Sequence, residues 1–135
     1  MIIVDSSVWI DYFNGQDNPE TDALDRLLGV EPLGIGDLIL TEVLQGFRTD
    51  ADYKTAKRLL SSLSVFDMLG YELAIKSADN FRFLRKQGIT IRKTADMIIA
   101  TFCIENDRPL LFSDRDFLPL VKFLGLRGLN DEDTF

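Results

Sequence analysis

Two patterns of hydrophobic and polar residues alternate along the chain. Short apolar runs are separated by longer segments in which apolar residues recur three or four positions apart. The runs are typical of buried strands, and the longer spacing is typical of helices that bury one face. Because strand–helix–strand units join parallel strands, the alternation predicts an α/β fold with a mainly parallel sheet.

The pattern places strands and helices at definite positions. Strands are predicted at residues 1–4, 32–35, 64–68 and 109–112, with an edge strand at 126–128. Helices are predicted at residues 6–13, 19–28, 37–47, 50–63, 71–87, 94–105 and 117–124. Asn18 and Pro19 favour a helix start, and Gly29 and Gly88 favour helix ends, because these residue types suit those positions.

Two of the predicted helices have pronounced apolar faces. In helix 71–87 the predicted inner stripe contains Leu73, Ala74, Ser77, Ala78, Phe81 and Leu84. In helix 94–105 the inward residues are Ala95, Ile98, Ile99, Phe102 and Cys103. Cys103 is the only cysteine, and we interpret it as a buried core thiol, since the chain has no histidine to activate it.

Length and composition favour a single domain that spans residues 1–135. The chain is 46% hydrophobic, but no stretch approaches the roughly 18 apolar residues of a membrane span. The apolar start stops at Asp5, which predicts a strand and not a signal peptide. The lack of a cysteine pair indicates the cytoplasm. An acidic tail at residues 130–133 is expected to fray.

The absence of histidine removes several kinds of chemistry. A Ser-His-Asp triad and histidine acid–base catalysis are excluded, and a structural zinc site is disfavoured. Catalysis must therefore depend on carboxylates, hydroxyls, Lys, Arg or Tyr. The net charge of −7 argues against binding nucleic acid through bulk charge. It remains compatible with a nuclease whose acids gather in one metal site.

Acidic residues follow two of the predicted strands directly. Asp5 ends strand 1–4, and Asp114 and Asp116 come just after strand 109–112. Sites in open α/β sheets form beyond the carboxyl ends of the strands, so these acids are candidates for a shared site. The structural alternative is that Asp5 caps a helix or turn and that Asp116 caps the last helix.

Two further acids begin helices on apolar faces. Asp96 shares a face with Ile99, Ala100 and Cys103, and Glu42 lies among similar neighbours. A charge in such a position is costly unless it is paired or bound to a metal. The alternative is an acid at the exposed rim, or a pair between Asp96 and Arg92. Together the acids at strand and helix ends favour a carboxylate site for Mg²⁺ or Mn²⁺.

Four segments that contain these acids resemble the motifs of the PIN-domain family, specifically its VapC-type toxins. They are Ile2-Ile3-Val4-Asp5-Ser6-Ser7-Val8-Trp9-Ile10, Leu40-Thr41-Glu42-Val43-Leu44-Gln45-Gly46-Phe47, Thr94-Ala95-Asp96-Met97-Ile98-Ile99-Ala100 and Leu110-Leu111-Phe112-Ser113-Asp114-Arg115-Asp116-Phe117. Each motif is weak by itself, but together they occur in the family's order across nearly the whole chain. Ser113 is a departure, since many relatives carry another polar residue there.

The resemblance implies a three-layer α/β/α sandwich around a mainly parallel sheet, and endonucleolytic RNA cleavage. It implies that Asp5, Glu42, Asp96 and Asp114 are catalytic, and that they hold Mg²⁺ or Mn²⁺ with Asp116. It further implies a homodimer and inhibition by a cognate VapB-like antitoxin. Hydrolysis by metal-activated water should leave 5′-phosphate and 3′-hydroxyl ends.

Several polar residues near the motifs are candidates for substrate binding. Ser7 would contact a phosphate or a metal-bound water, or would simply cap the following helix. Arg92 and Arg115 are candidate phosphate contacts. Lys93 is a further candidate. Arg82, Arg85 and Lys86 are also candidates, although an ordinary solvated helix face is the favoured explanation for these three.

Three other functions fit parts of the sequence. A haloacid-dehalogenase-type phosphatase also begins with a strand ending in Asp, but it needs a second acid where this chain has Ser7. A non-catalytic interaction module would carry the same acids for structural reasons. A PIN-domain nuclease of RNA maturation would differ from a toxin mainly in its gene neighbourhood.

Overall fold

The structure is a computed structural model that describes residues 1–129, so the acidic tail predicted at 130–133 lies outside the described residues. Its elements are β1 Ile2–Val4, α1 Ser6–Phe13, α2 Pro19–Leu27, β2 Leu33–Gly36, α3 Asp37–Leu44, α4 Asp50–Ser61, β3 Ser64–Phe66, α5 Tyr71–Lys86, α6 Thr94–Glu105, β4 Leu110–Leu111 and α7 Leu118–Leu124. A 3₁₀ turn, Arg115–Phe117, precedes α7. The helices and the four main strands predicted from the pattern are therefore confirmed.

A parallel sheet of four strands, in the order β3-β2-β1-β4, forms the centre of the fold. Ile3 of β1 is aligned with Gly34 of β2 and with Leu110 of β4. The edge strand predicted at 126–128 is reduced to one parallel bridge between Leu110 and Gly128. Its backbone still extends the sheet, since the Leu110 N–H donates to the carbonyl of Arg127 at 2.9 Å.

Helices cover both faces of this sheet. The chain crosses from β1 to β2 to β3 in one direction and then returns to β4 on the other side of β1. Since parallel crossovers are right-handed, α1–α4 lie on one face and α5 and α6 lie on the other. This arrangement confirms the predicted three-layer α/β/α sandwich. It also brings the carboxyl ends of β1 and β4 together, because these two parallel strands are neighbours in the sheet.

Helix ends follow local chemistry, and some come earlier than the apolar pattern predicts. Asn18 caps α2 through a capping box with Thr21, and Pro19 occupies the first turn. The helix ends at Leu27 because Leu28 already has an extended backbone. Likewise α3 ends at Leu44 and not at residue 47, because the chain then tightens into a turn that contains Gly46.

The core is built around β1, β4 and the helices that cross them. Ile3, Trp9, Leu111 and Phe117 are fully buried, with large aromatic and branched side chains filling the layers. Cys103 lies in this core, and burial raises the pKa of its thiol to about 12. A thiol that stays protonated at neutral pH is a poor nucleophile, so its predicted structural role is confirmed.

The predicted inner stripe of α5 is only partly correct. Ser77 and Leu84 are buried, but Ala74 and Ala78 are exposed. These two alanines line an open apolar groove together with Met97 and other residues of α6. The periodic pattern shows which face of α5 is apolar, but the neighbouring helices α6 and α7 cover only part of that face. No helix in residues 1–129 combines the length and apolar content needed to cross a bilayer.

Candidate metal and active site

Asp5 lies where β1 meets α1, and it acts both as a helix cap and as a site acid. Its backbone N–H donates to the carbonyl of Leu111 at 2.9 Å, which ties the end of β1 to β4. Its Oδ2 accepts hydrogen bonds from the Ser7 hydroxyl at 2.6 Å and from the Ser7 N–H at 3.3 Å. The other oxygen, Oδ1, is buried and has no hydrogen-bond partner within residues 1–129. Half of this carboxylate therefore remains available to a ligand.

Asp114 occupies the equivalent place after β4. It caps the 3₁₀ turn by accepting a hydrogen bond from the Asp116 N–H at 2.9 Å. The prediction that Asp116 would be the cap is therefore wrong. The Asp116 side chain instead accepts a hydrogen bond from Arg92 at 3.1 Å, in an exposed ion pair. The reason is local: the turn begins one residue after Asp114, and this places the Asp114 carboxylate over the free N–H groups.

Asp96, in the first turn of α6, is the most unusual acid of the site. The residue is only 5% exposed, and its buried Oδ2 has no hydrogen-bond partner in the described part of the chain. Burial, reinforced by the charges of Asp5 and Asp114, raises the pKa of Asp96 to about 7. The suggested pair with Arg92 is wrong, because Arg92 bonds Asp116 instead. An acid buried beside other acids is costly in the metal-free protein.

Glu42 reaches the same region from α3. It is half-buried and accepts a hydrogen bond from the Ser6 hydroxyl at 3.0 Å. Its charge contributes to the raised pKa values of Asp5 and Asp96, so it faces both carboxylates. The four predicted acids thus come from β1, α3, α6 and the segment after β4 to one edge of the sheet.

The carboxylates form a candidate cation site. Oxygen atoms of Asp96, Asp114 and Asp116 all lie within 4.8 Å of one another, although Asp116 also holds Arg92. Buried polar atoms normally have partners, and here Asp5 Oδ1 and Asp96 Oδ2 have none among residues 1–129. Hard carboxylate oxygens are the ligands that Mg²⁺ and Mn²⁺ prefer. The donor set therefore fits a divalent cation.

Two polar side chains at the rim of the site, those of Ser113 and Lys93, have a role that the sequence analysis did not identify. Ser113, regarded only as a departure from the motif, has its Oγ 3.2 Å from the Oγ of Ser7. Lys93 lowers the pKa of Asp96 and is therefore the cation that faces it. With Arg92 on Asp116, the cluster has two protein cations at its edge. The available signal was closeness along the chain, since Ser113 directly precedes Asp114 and Lys93 lies three residues before Asp96.

Comparison with known proteins agrees with the observed fold. A family model described as PIN domain matches residues 2–122. The chain belongs to the PIN-domain family. A VapC ribonuclease of Mycobacterium bovis and the ribonuclease VapC11 of Mycobacterium tuberculosis are each 30% identical to it over 133 residues. In both cases the alignment covers 95% of this chain and 97% of the relative.

Solved PIN-domain structures share the architecture at much lower sequence identity. VapBC2 of Rickettsia felis, bound to a promoter DNA fragment, has a TM-score of 0.75 at 17% identity, covering 96% of this chain and 98% of that chain. VapC20 of Mycobacterium tuberculosis, described as a sarcin-ricin-loop-cleaving toxin, has a TM-score of 0.69 at 17% identity. The match covers 97% of this chain and all of VapC20. These likenesses establish a shared PIN fold.

Proposed function

We propose that this PIN domain is a divalent-metal-dependent endoribonuclease and the toxin of a VapBC-type toxin–antitoxin pair. The observation that carries the proposal is the buried carboxylate of Asp96. It has a free oxygen and a raised pKa, and it lies beside the charges of Asp5, Glu42 and Asp114. A divalent cation would remove this repulsion and satisfy the free oxygens. The ribonuclease names of relatives at 30% identity support RNA as substrate.

In this proposal each acid has its own task. Asp5, Asp96 and Asp114 hold the cation directly, and Glu42 and Asp116 complete the acidic surroundings. Bound Mg²⁺ or Mn²⁺ supplies charge neutralisation at the scissile phosphate and activation of water. The Ser6 hydroxyl orients Glu42, and the Ser7 hydroxyl orients Asp5. The acids are thus held in place before the substrate arrives.

The substrate-binding residues surround the acids. Arg92 is largely exposed on its pair with Asp116, so its remaining N–H groups face solvent where the RNA backbone would approach. Arg115 is exposed in the turn between Asp114 and Asp116. Guanidinium groups suit phosphate contacts because they offer several donors in one plane. Ser7 is largely committed to Asp5, so we assign it to positioning that acid and not to binding phosphate directly.

The proposed partners follow from the relatives and from the charge of the site. Several similar structures are VapBC complexes, which supports a VapB-like antitoxin for this chain as well. We expect the antitoxin to cover apolar surface and to place an Arg or Lys among the acids, where it would exclude metal and RNA. A homodimer and a cytoplasmic location, where RNA and antitoxin are made, complete the proposal.

Mapping of RNA cleavage products tests the proposed function. Purified protein with Mn²⁺ should cut RNA internally and leave 5′-phosphate ends, because water attacks the phosphate. Ends with a 2′,3′-cyclic phosphate would show attack by the RNA 2′-hydroxyl and would contradict the metal-hydrolysis proposal. A maturation nuclease remains the alternative within the family. An antitoxin gene beside this one, and growth arrest upon induction, would distinguish the toxin.

A further inference from the structure

A cavity of about 360 Å³ opens beside the acid cluster, between the end of β4 and the first turn of α2. This volume lies near the lower end of the roughly 300–1,000 Å³ typical of small-molecule pockets, which suits a single nucleotide. Residues that line it include Pro19, Glu20, Phe112, Ser113, Arg115 and Leu118. None of the five acids of the cluster lines it: Asp5, Glu42, Asp96, Asp114 and Asp116.

The cavity and the acid cluster share a wall. Ser113 lines the cavity, and its Oγ lies 3.2 Å from the Oγ of Ser7. Ser7 in turn donates to the carboxylate of Asp5 at 2.6 Å. The next residue, Asp114, belongs to the cluster with Asp96. A nucleotide beside the scissile phosphate could therefore enter the cavity without any rearrangement of the chain.

The chemistry of the lining is divided between apolar and charged groups. Pro19, Phe112 and Leu118 offer apolar surface, whereas Glu20 and Arg115 offer one negative and one positive charge. Neither of these two charges forms an ion pair among residues 1–129. A free anion would be repelled by Glu20, and a purely apolar ligand would leave both charges without partners. A flat ring with N–H donors, joined to a phosphate, matches the whole lining.

We propose that the cavity binds the base of a nucleotide that flanks the cleaved bond, and that Glu20 makes it selective for guanine. This inference rests on the proposed ribonuclease function. A carboxylate only accepts hydrogen bonds, and guanine is the base that presents two adjacent donors, N1–H and the 2-amino group, to a bidentate acceptor. Arg115 contacts the attached phosphate. Glu20 is thus a specificity residue and takes no part in bond cleavage.

Cleavage of short single-stranded RNAs tests the proposal. After the cut site is mapped, each flanking nucleotide is replaced in turn by the four bases and by inosine, which lacks the 2-amino group. The wild type should prefer guanine at one flanking position by about tenfold or more, mainly through KM. In Glu20→Gln this preference should shrink severalfold, and inosine should then be cut about as well as guanine.

Asp22→Asn is the matched control. Asp22 is the other acid in the first turn of α2, but it is exposed and does not line the cavity. This variant should keep the wild-type base preference. It therefore distinguishes the loss of a negative charge at the start of α2 from the loss of base recognition by Glu20. If Glu20→Gln retains the full preference, or if the wild type shows no preference at any flanking position, the inference is wrong.

A binding measurement separates this inference from the proposed function. Guanosine 5′-monophosphate, with uridine 5′-monophosphate as comparison, is titrated into the protein and followed by NMR. Shifts confined to the cavity, stronger for the guanine nucleotide and weakened by Glu20→Gln, would support the cavity even if no RNA were cleaved. RNA cleavage without base preference, together with equal binding of both nucleotides, would reject the cavity and leave the nuclease proposal intact.

Discussion

Arg92 donates a hydrogen bond to Asp116 at 3.1 Å and not to Asp96, four residues along the chain, whose Oδ2 has no hydrogen-bond partner among residues 1–129. The ion pair is exposed, whereas Asp96 is buried. Arg92 thus lies at the rim of the acid cluster, whereas Asp96, the carboxylate whose charged form is least stable, lies at its centre. This division predicts different effects for substitutions at the two positions.

Asp96→Asn should stabilise the metal-free protein while abolishing most RNA cleavage. The amide keeps the shape of the carboxylate but removes a charge whose pKa is raised from 3.8 to about 7. A shift of this size corresponds to at most about 4 kcal/mol of unfolding free energy at pH 8. Thermal unfolding in EDTA should show a Tm higher by several degrees.

Asp79→Asn is the control for that experiment, since Asp79 is an exposed carboxylate on α5. It should leave both Tm and cleavage near wild-type values. A Tm for Asp96→Asn equal to or below that of the wild type in EDTA would show that the Asp96 charge is not destabilising. Retained cleavage in Asp96→Asn would place the active site elsewhere.

The stability gain of Asp96→Asn should depend on pH in a definite direction. Well below pH 3.8 the Asp96 carboxyl is protonated in both the folded and the unfolded chain, so it contributes no pH dependence there. As the pH rises to about 7, the unfolded chain releases this proton first, and the folded protein loses stability relative to it. Above pH 7 the loss is complete.

The measurement compares the Tm of wild type and Asp96→Asn in EDTA from pH 4 to 8. The difference should be small at pH 4, grow up to about pH 7 and then level off, because other carboxyls change both proteins equally. A difference that is constant over this range, or that shrinks as the pH rises, would contradict the raised pKa of Asp96.

Divalent metal should stabilise the wild type through the acid cluster. Binding to the folded state alone raises stability, so the Tm should increase with Mn²⁺ concentration and return to its starting value in excess EDTA. RNA cleavage should follow the same dependence. Asp5→Asn should lose most of the Tm response, since Asp5 supplies one of the free buried oxygens. Cleavage that persists undiminished in chelator would exclude the metal-dependent mechanism.

Arg92→Gln should weaken RNA binding uniformly across sequences. If Arg92 contacts one phosphate, the slope of log binding constant against log salt should fall by about one. The matched control is Arg127→Gln, which breaks another exposed arginine–aspartate pair, with Asp107, just beyond the opposite end of α6. Both arginine substitutions are made in the cleavage-deficient Asp96→Asn protein, and RNA binding is measured at several salt concentrations. Equal slopes for the two variants would remove Arg92 from the RNA surface.

Much of the site follows from the sequence alone because it depends on local order. A run of apolar residues that ends in Asp5 or in Asp114 determines that each acid lies at the carboxyl end of a strand. Parallel strands then direct these ends to one edge of the sheet. Asp96 and Glu42 are recognisable for a related reason, since each interrupts an apolar helical face.

Only the tertiary structure decided which side chains meet. Ser7 and Ser113 come within 3.2 Å although 106 positions separate them, and Arg92 bonds Asp116 and not Asp96. The sequence pattern also did not predict that Ala74 and Ala78 are exposed, because periodicity identifies an apolar helix face without showing what covers it. Local patterns encode the direction of each side chain from its own backbone, whereas pairing, burial and pKa depend on the packing of distant segments.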